Sequence, residues 1–275
     1  MKKIAMFLFS IMLLIDTALA SKCFIIKEKN QIIHQEGDCD KRYAPMSTFK
    51  IVLSLIGYDT GILIDKNYPV WPFKEGYVDS REEWKKDHTP QSWMKESCVW
   101  YSQILTKQLG TKRFQDYVKK FAYGNRDLSG DMGRDNGLTN CWLSSSLEIS
   151  SIEQILFLEQ LLTNKLPVSK HAYVMTKNIL FLENLKDDWK LYGKTGMGSL
   201  LSTDRNKKLN INHGWFIGWI EKGNRQIIFA IHIADSKKED TYVSLRAKAN
   251  AREKLMQIIN NIGNNQPQED VNNLH

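Results

Sequence analysis

Apolar residues change their spacing along this chain, and the changes divide it into three parts. Phe24, Ile25 and Ile26, then Ile32 and Ile33, flank the polar pair Lys29-Asn30, which predicts a β-hairpin. Phe49, Ile51, Val52, Leu53, Leu55 and Ile56 follow as a dense run that starts just after Pro45 and ends near Gly57. A proline before the start and a glycine at the end predict a buried helix. From residue 61 to about 185 the chain is expected to be largely helical, most clearly at 99–109, 114–121 and 152–162. Residues 127–137, with Gly130, Gly133 and Gly137 among Asp and Asn, predict a long polar loop.

From Trp189 onward, aromatic and β-branched residues predict strands at 190–196, 214–220 and 227–233. A polar hairpin excursion is expected at 204–212 and a shorter turn at 221–226. Residues 244–262 predict a closing helix with Leu245, Leu255, Ile258 and Ile259 on its inner face. Residues 264–275 lack core residues and are expected to be disordered. Strands at both ends with helices between them define an α+β fold. An antiparallel sheet flanked by terminal helices carries an inserted all-helical lobe, with a cleft at the seam. The expected division is one domain over 21–265, its sheet lobe about 21–46 and 186–262 and its helical lobe about 47–185. Residues 266–275 form a tail.

The first twenty residues change the compartment. Lys2-Lys3, an apolar core from Ile4 to Ile15, and Ala18-Leu19-Ala20 read as a cleavable secretory signal, so a periplasmic protein is expected, with no membrane contact once the signal is removed. Cleavage leaves 255 of the 275 residues and takes the net charge from +7 to +6. Lys and Arg are scattered rather than striped, which argues against nucleic acid as a partner. Cys23, Cys39, Cys98 and Cys141 allow three full pairings, and sequence does not choose among them. Cys23 and Cys39 flank the first hairpin, whose turn sets Cys23 opposite residue 36, so a bridge needs the strand end to curl. Cys98 and Cys141 read as buried small hydrophobes. The six histidines show no metal-ligand spacing, and no metal is expected.

Two short patterns carry the candidate chemistry. Ser47-Thr48-Phe49-Lys50 places a hydroxyl and an amine one helical turn apart, on one face. A serine hydroxyl needs a neighbour to take its proton, and lysine can do so once its pKa is brought down. The same S-x-x-K spacing recurs at Ser92-Trp93-Met94-Lys95, but no comparable apolar run follows it. Lys194-Thr195-Gly196 lies on a returning strand, so the Ser47 and Lys194 motifs bracket the seam. Their capping and strand-end alternatives are weaker together than singly.

Further patterns fall into order around these two. Ser97-Cys98-Val99 reads S-x-V, Tyr123-Gly124-Asn125 reads Y-G-N, Trp142 stands in Cys141-Trp142-Leu143-Ser144, and Arg246 opens the last helix. Over essentially the whole chain after residue 20, this order and spacing resemble the class D serine β-lactamases. S-x-x-K and K-T-G are common to penicillin-recognising serine enzymes. The S-x-V and Y-G-N pair separates class D from class A.

The resemblance implies a hydrolase acting on penicillins and oxacillin-like β-lactams, and so antibiotic resistance. It implies Ser47 as nucleophile and Ser97 as proton relay to the ring nitrogen. The N–H groups of Ser47 and Met197 would form the oxyanion hole. Val99, Lys194, Thr195, Gly196, Met197 and Arg246 would contact substrate, with Lys194, Thr195 and Arg246 on its carboxylate. It further implies that Lys50 takes up CO2 as a carbamate, the general base, with Trp142 as donor to it; no other cofactor is implied. A monomer or a dimer fits equally. Two relatives by fold remain as alternatives: a sensor that is acylated without turnover, and a DD-peptidase of cell-wall synthesis. A non-enzymatic binding module would leave both lysine motifs unexplained.

Overall fold

The computed structural model describes residues 21–237, 239 and 241–264; the expected signal at 1–20 and tail at 266–275 lie outside the described residues. Six strands form one antiparallel sheet: β1 (Ser21–Glu28), β2 (Gln31–Gly37), β3 (Phe181–Asn184), β4 (Lys190–Leu201), β5 (Lys208–Lys222) and β6 (Arg225–Ala234). Their spatial order is β2-β1-β6-β5-β4-β3. The helical insert comprises α1 (Lys50–Asp59), α2 (Pro90–Glu96), α3 (Val99–Leu109), α4 (Thr111–Lys120), α5 (Gly137–Asn140), α6 (Ser151–Leu162) and α7 (Lys170–Leu180). A single terminal helix, α8 (Val243–Asn264), closes the described chain. Among the described residues, no helix is long and apolar enough to cross a membrane.

Alternation along the strands builds two cores, one on each face of the sheet. Ile25, Trp215, Ile217, Trp219 and Ala230 pack with the helical insert, including Phe49, Ile51 and Trp142. Phe24, Ile26, Phe216, Ile220, Phe229 and Ile231 pack with α8. Because β5 and β6 are covered on both faces, their buried stretches read as near-continuous apolar runs.

Five expectations change. The stretch 61–89, expected to be largely helical, is irregular chain with one 3₁₀ turn at Glu82–Trp84, and α-helix resumes at Pro90. Leu245 is exposed rather than inward; the inner face of α8 is Val243, Ala247, Ala251, Leu255 and Ile259. Those positions recur every four residues, whereas Leu245 sits two positions from Val243 and Ala247, about 200° around the helix. Residues 181–184 are strand rather than the end of a helix: α7 stops at Leu180, and β3 pairs with Lys190–Tyr192 of β4. The polar excursion shrinks to a turn at 202–207, since β5 pairs from Lys208 onward with Leu201 opposite. Finally, a bulge between Ile26 and Lys27 shifts the first hairpin by one residue, setting Cys23 opposite Gly37. The chain then curls at Gly37, and a disulfide joins Cys23 to Cys39. Cys98 and Cys141 are free and buried, as their apolar surroundings led one to expect.

Candidate active site

Ser47 lies in a 3₁₀ turn, Met46–Phe49, that runs directly into α1 at Lys50. In a 3₁₀ turn, side chains at i and i+3 eclipse one another rather than diverging by the α-helical offset. Lys50 Nζ accordingly donates to Ser47 Oγ over 3.3 Å. The turn is braced from behind. Thr48 Oγ1 donates to the Pro45 carbonyl (2.6 Å), Gln154 Nε2 donates to Thr48 Oγ1 (3.2 Å), and Tyr123 OH donates to Gln154 Oε1 (3.3 Å). Met46, immediately before Ser47, holds φ at 52°, a backbone region that side-chain-bearing residues seldom adopt. Its N–H donates to the Trp142 carbonyl over 3.0 Å.

The second S-x-x-K is a helix start and no more. Ser92 and Thr89 of α2 cap each other reciprocally, with Thr89 N–H to Ser92 Oγ at 2.9 Å, and Lys95 is exposed.

Sheet and helical insert meet at β4. Side chains two apart share a strand face, so Lys194, Gly196 and Gly198 all look towards the insert. A methyl group at Gly196 would stand 2.9 Å from the Pro45 carbonyl oxygen and 3.2 Å from the Ser47 nitrogen. Only glycine lets the strand backbone come this close to the nucleophile turn. Lys194 reaches across the seam: its Nζ donates to Ser97 Oγ at 2.8 Å and to the Thr195 carbonyl at 3.0 Å. Ser97 is the residue at which α2 ends, in left-handed conformation (φ 62°), so its hydroxyl turns out of the helix line. Val99 opens α3 two residues later, after Cys98, with its side chain almost covered.

Burial sets the electrostatics. Lys50 is fully buried, and the loss of solvent around its ammonium brings its pKa down to about 7; repulsion from Arg81 adds to the effect. Lys194 is pushed well below the ordinary lysine range, again chiefly by burial, then by the charges of Lys50, Arg81 and Lys248. Burial also pushes the Cys98 thiol up to about 11, which keeps it protonated.

Trp142 stacks on Phe49, the residue beside Lys50, with ring centroids 5.6 Å apart. Its Nε1 is buried and has no acceptor among the described residues. Indole nitrogen can only donate, so the site contains one fixed donor waiting for an oxygen. The segment carrying Trp142 is pinned from three directions. Ser144 Oγ donates to the Ser199 carbonyl of β4 (2.7 Å), and Asn125 Nδ2 donates to the Ser146 carbonyl (2.8 Å). Arg205, in the turn between β4 and β5, donates Nη2 to the carbonyls of Ser145 (2.9 Å) and Ser146 (3.1 Å). The Y-G-N pattern thus acts as a loop brace: Gly124 (φ 54°) sits where a methyl group would lie 2.1 Å from the Glu148 carbonyl oxygen.

Ser47, Lys50, Ser97, Lys194 and Gly196 therefore converge, and Trp142 abuts them through Phe49. Thr195 and Met197 stand half-buried on the same strand, next to the converging residues. Arg246 is committed elsewhere: its Nη2 donates to both carboxylate oxygens of Asp235, at 2.6 and 2.7 Å, while its Nε is buried without a partner among the described residues. Sequence reasoning missed Gln154, Arg205, Asp235 and Arg81. Gln154 alone left a signal, a polar residue on the inward face of α6 shared with Leu158 and Leu161.

Comparison with known proteins converges on one family. Residues 25–257 match the penicillin binding protein transpeptidase domain. The chain is 43% identical over 224 residues to β-lactamase OXA-9 of Klebsiella pneumoniae, covering 80% of this chain and 81% of that protein. Among solved structures, the class D β-lactamase OXA-427 superposes with a TM-score of 0.84 at 42% identity, over 88% of this chain and 99% of that one. The C-terminal domain of the BlaR penicillin receptor of Bacillus licheniformis is similar at a TM-score of 0.74 and 28% identity, over 86% and 90%. On these similarities and on its fold, the chain belongs to the class D β-lactamases.

Proposed function

We propose that this chain opens β-lactam rings through an acyl-enzyme on Ser47 and releases the acid by hydrolysis. The observation that carries the reading is the Ser47–Lys50 contact at 3.3 Å, with an amine whose pKa burial brings down to about 7. Ser47 Oγ attacks the ring carbonyl, and the oxygen that gains charge faces the N–H groups of Ser47 and Met197. The Ser47 proton passes to the base at Lys50; the carbon–nitrogen bond then breaks, and Ser97 hands its proton to the leaving ring nitrogen and takes up in exchange the one held at Lys50, with Lys194 Nζ holding the Ser97 hydroxyl in place. Lys194 and Thr195 receive the carboxylate, and Val99 and Gly196 shape the walls. Arg246 contributes only the part of its guanidinium that Asp235 leaves free.

The residues around Lys50 suit a carbamate on its Nζ. A half-neutral amine can add CO2 and release one proton, and the unpartnered Trp142 Nε1 is a donor in want of an anionic oxygen. Such a group supplies a base for both acylation and the later attack of water. Lys50 holds its place by burial, Phe49 by stacking on Trp142, and Trp142 by the braces on its loop. Export to the periplasm rests on the charge and hydropathy of the first twenty residues.

The experiment is steady-state hydrolysis of benzylpenicillin after dialysis at low pH, with and without added bicarbonate. Sustained turnover restored by bicarbonate supports the reading. One acylation event with no turnover instead identifies a sensor, the alternative that a fold shared with a penicillin receptor keeps open.

A further inference from the structure

Met46, the residue before the nucleophile, holds a backbone angle that glycine would take more easily: its φ is 52°. Ser144, two residues after Trp142, holds φ at 51°. Side-chain-bearing residues keep such angles only where the surrounding structure over-determines them. These two meet. The Ser144 N–H donates to Met46 Sδ over 3.1 Å, and Ser144 Oγ lies 3.5 Å from the same sulfur.

Both residues are buried. A buried N–H needs an acceptor, and among the described residues the thioether is the one that Ser144 N–H has. The sheet closes the other side of the sulfur. A methyl group at Gly198 would stand 2.6 Å from Met46 Sδ and 2.7 Å from Ser144 Oγ, so only a bare strand backbone leaves room for the thioether. Met46 also holds the segment at its other end, where its N–H donates to the Trp142 carbonyl (3.0 Å). Its two bonds therefore span residues 142–144, and Ser47 follows it directly in the same 3₁₀ turn. Arg205 and Asn125 tie this loop farther along, at Ser145 and Ser146. Met46 ties it at the indole itself.

We propose that the Met46 thioether is a positioning group for hydrolysis of the acyl-enzyme. It seats the Trp142 segment against the nucleophile turn, and so fixes where the indole N–H stands relative to Ser47 and Lys50. This rests on the β-lactam reading above. Thioether sulfur is a weak acceptor, so its contribution lies in placing the segment.

The test compares Met46→Leu and Met46→Gly with the unaltered protein. Leucine fills nearly the same volume and is well tolerated for methionine in cores, but it offers no acceptor. Glycine suits the left-handed backbone and removes the side chain. Rapid-quench intact-mass measurements with benzylpenicillin separate acylation of Ser47 from loss of the adduct. In Met46→Leu, deacylation is expected to slow about tenfold, the scale of a small misplacement of a catalytic group, with acylation changed far less. Met46→Gly should lose deacylation at least as strongly, although its backbone is relaxed. In the absence of substrate and bicarbonate, hydrogen exchange of the amides at 142–146 should be faster in Met46→Leu than in the unaltered protein. Deacylation at the original rate in either variant overturns the proposal. So does an equal loss in both steps, which would make Met46 a support of the nucleophile turn alone. Unchanged exchange at 142–146 refutes the sulfur contact whatever the turnover. Absence of turnover in the unaltered protein refutes the hydrolase reading instead, and the exchange comparison then still tests the contact.

Discussion

Lys194 Nζ and Ser97 Oγ, 2.8 Å apart, join the sheet to the helical insert directly across the catalytic seam. The contact places a buried lysine behind the hydroxyl to which we assign the proton relay. Ser97→Ala removes the relay and leaves Lys194 only the Thr195 carbonyl. Acylation is expected to slow by about 100-fold, the usual scale for a lost proton-transfer group. Deacylation should change much less. Stopped-flow acylation with nitrocefin separates the two steps, and equal loss in both would assign Ser97 a different role.

Trp142 Nε1 offers a second, narrower test. Trp142→Phe keeps the stacking bulk on Phe49 and deletes only the unpartnered donor. Deacylation is expected to fall about 100-fold while acylation falls less. Intact mass spectrometry should then find Ser47 acylated during turnover. A variant that turns over at the original rate with no trapped adduct would show the donor to be idle.

Lys50 links activity to stability. Its pKa is about 7 in the folded chain against 10.5 for a free side chain. Between those values the unfolded chain binds more protons than the folded one, so stability rises with pH across that window. Below about pH 7 both states carry the ammonium, and the cost of burying it is full, on the order of 5 kcal/mol. Lys50→Met should therefore melt higher than the unaltered protein at pH 6 in CO2-free buffer. The gap should narrow towards pH 10, and hydrolysis should be lost at every pH. A Lys50→Met variant that melts lower at pH 6 would contradict the burial argument.

Arg205 ties the turn at 202–207 to the loop that carries Trp142, through two carbonyls and a 3.2 Å contact with Glu148. The side chain is partly exposed, so the clamp is worth at most about 1 kcal/mol of stability. Its expected effect lies in positioning. Arg205→Ala should lower kcat several-fold and raise the bicarbonate concentration needed for half-maximal activity, with little change in thermal midpoint. A shift in midpoint alone, with bicarbonate dependence untouched, would reduce Arg205 to a structural tie.

How far the sequence carries depends on the range of each interaction. The Ser47 and Lys194 motifs are local: a single turn sets Ser47 beside Lys50, and a single strand sets Lys194 and Gly196 on one face, whereas the Lys194–Ser97 contact depends on the fold. The eclipsed geometry of the 3₁₀ turn was not legible, since S-x-x-K reads equally well as an α-helical spacing. Leu245 was misplaced because apolarity alone suggested an inner face; the sheet instead selects the small Ala247 and Ala251 for close approach. The Cys23–Cys39 disulfide depended on a one-residue bulge that no local pattern announces. Arg205, Asp235 and Arg81 escaped notice for one reason. A surface-type cation or acid acquires meaning only from a distant segment brought beside it by the fold.

The most direct measurement is benzylpenicillin hydrolysis by the unaltered protein and by Ser47→Ala, followed under saturating bicarbonate with intact-mass sampling. The account predicts sustained turnover and a transient acyl adduct in the first, and neither in the second. Turnover that survives Ser47→Ala, or an adduct that maps to another residue such as Ser92, would contradict it.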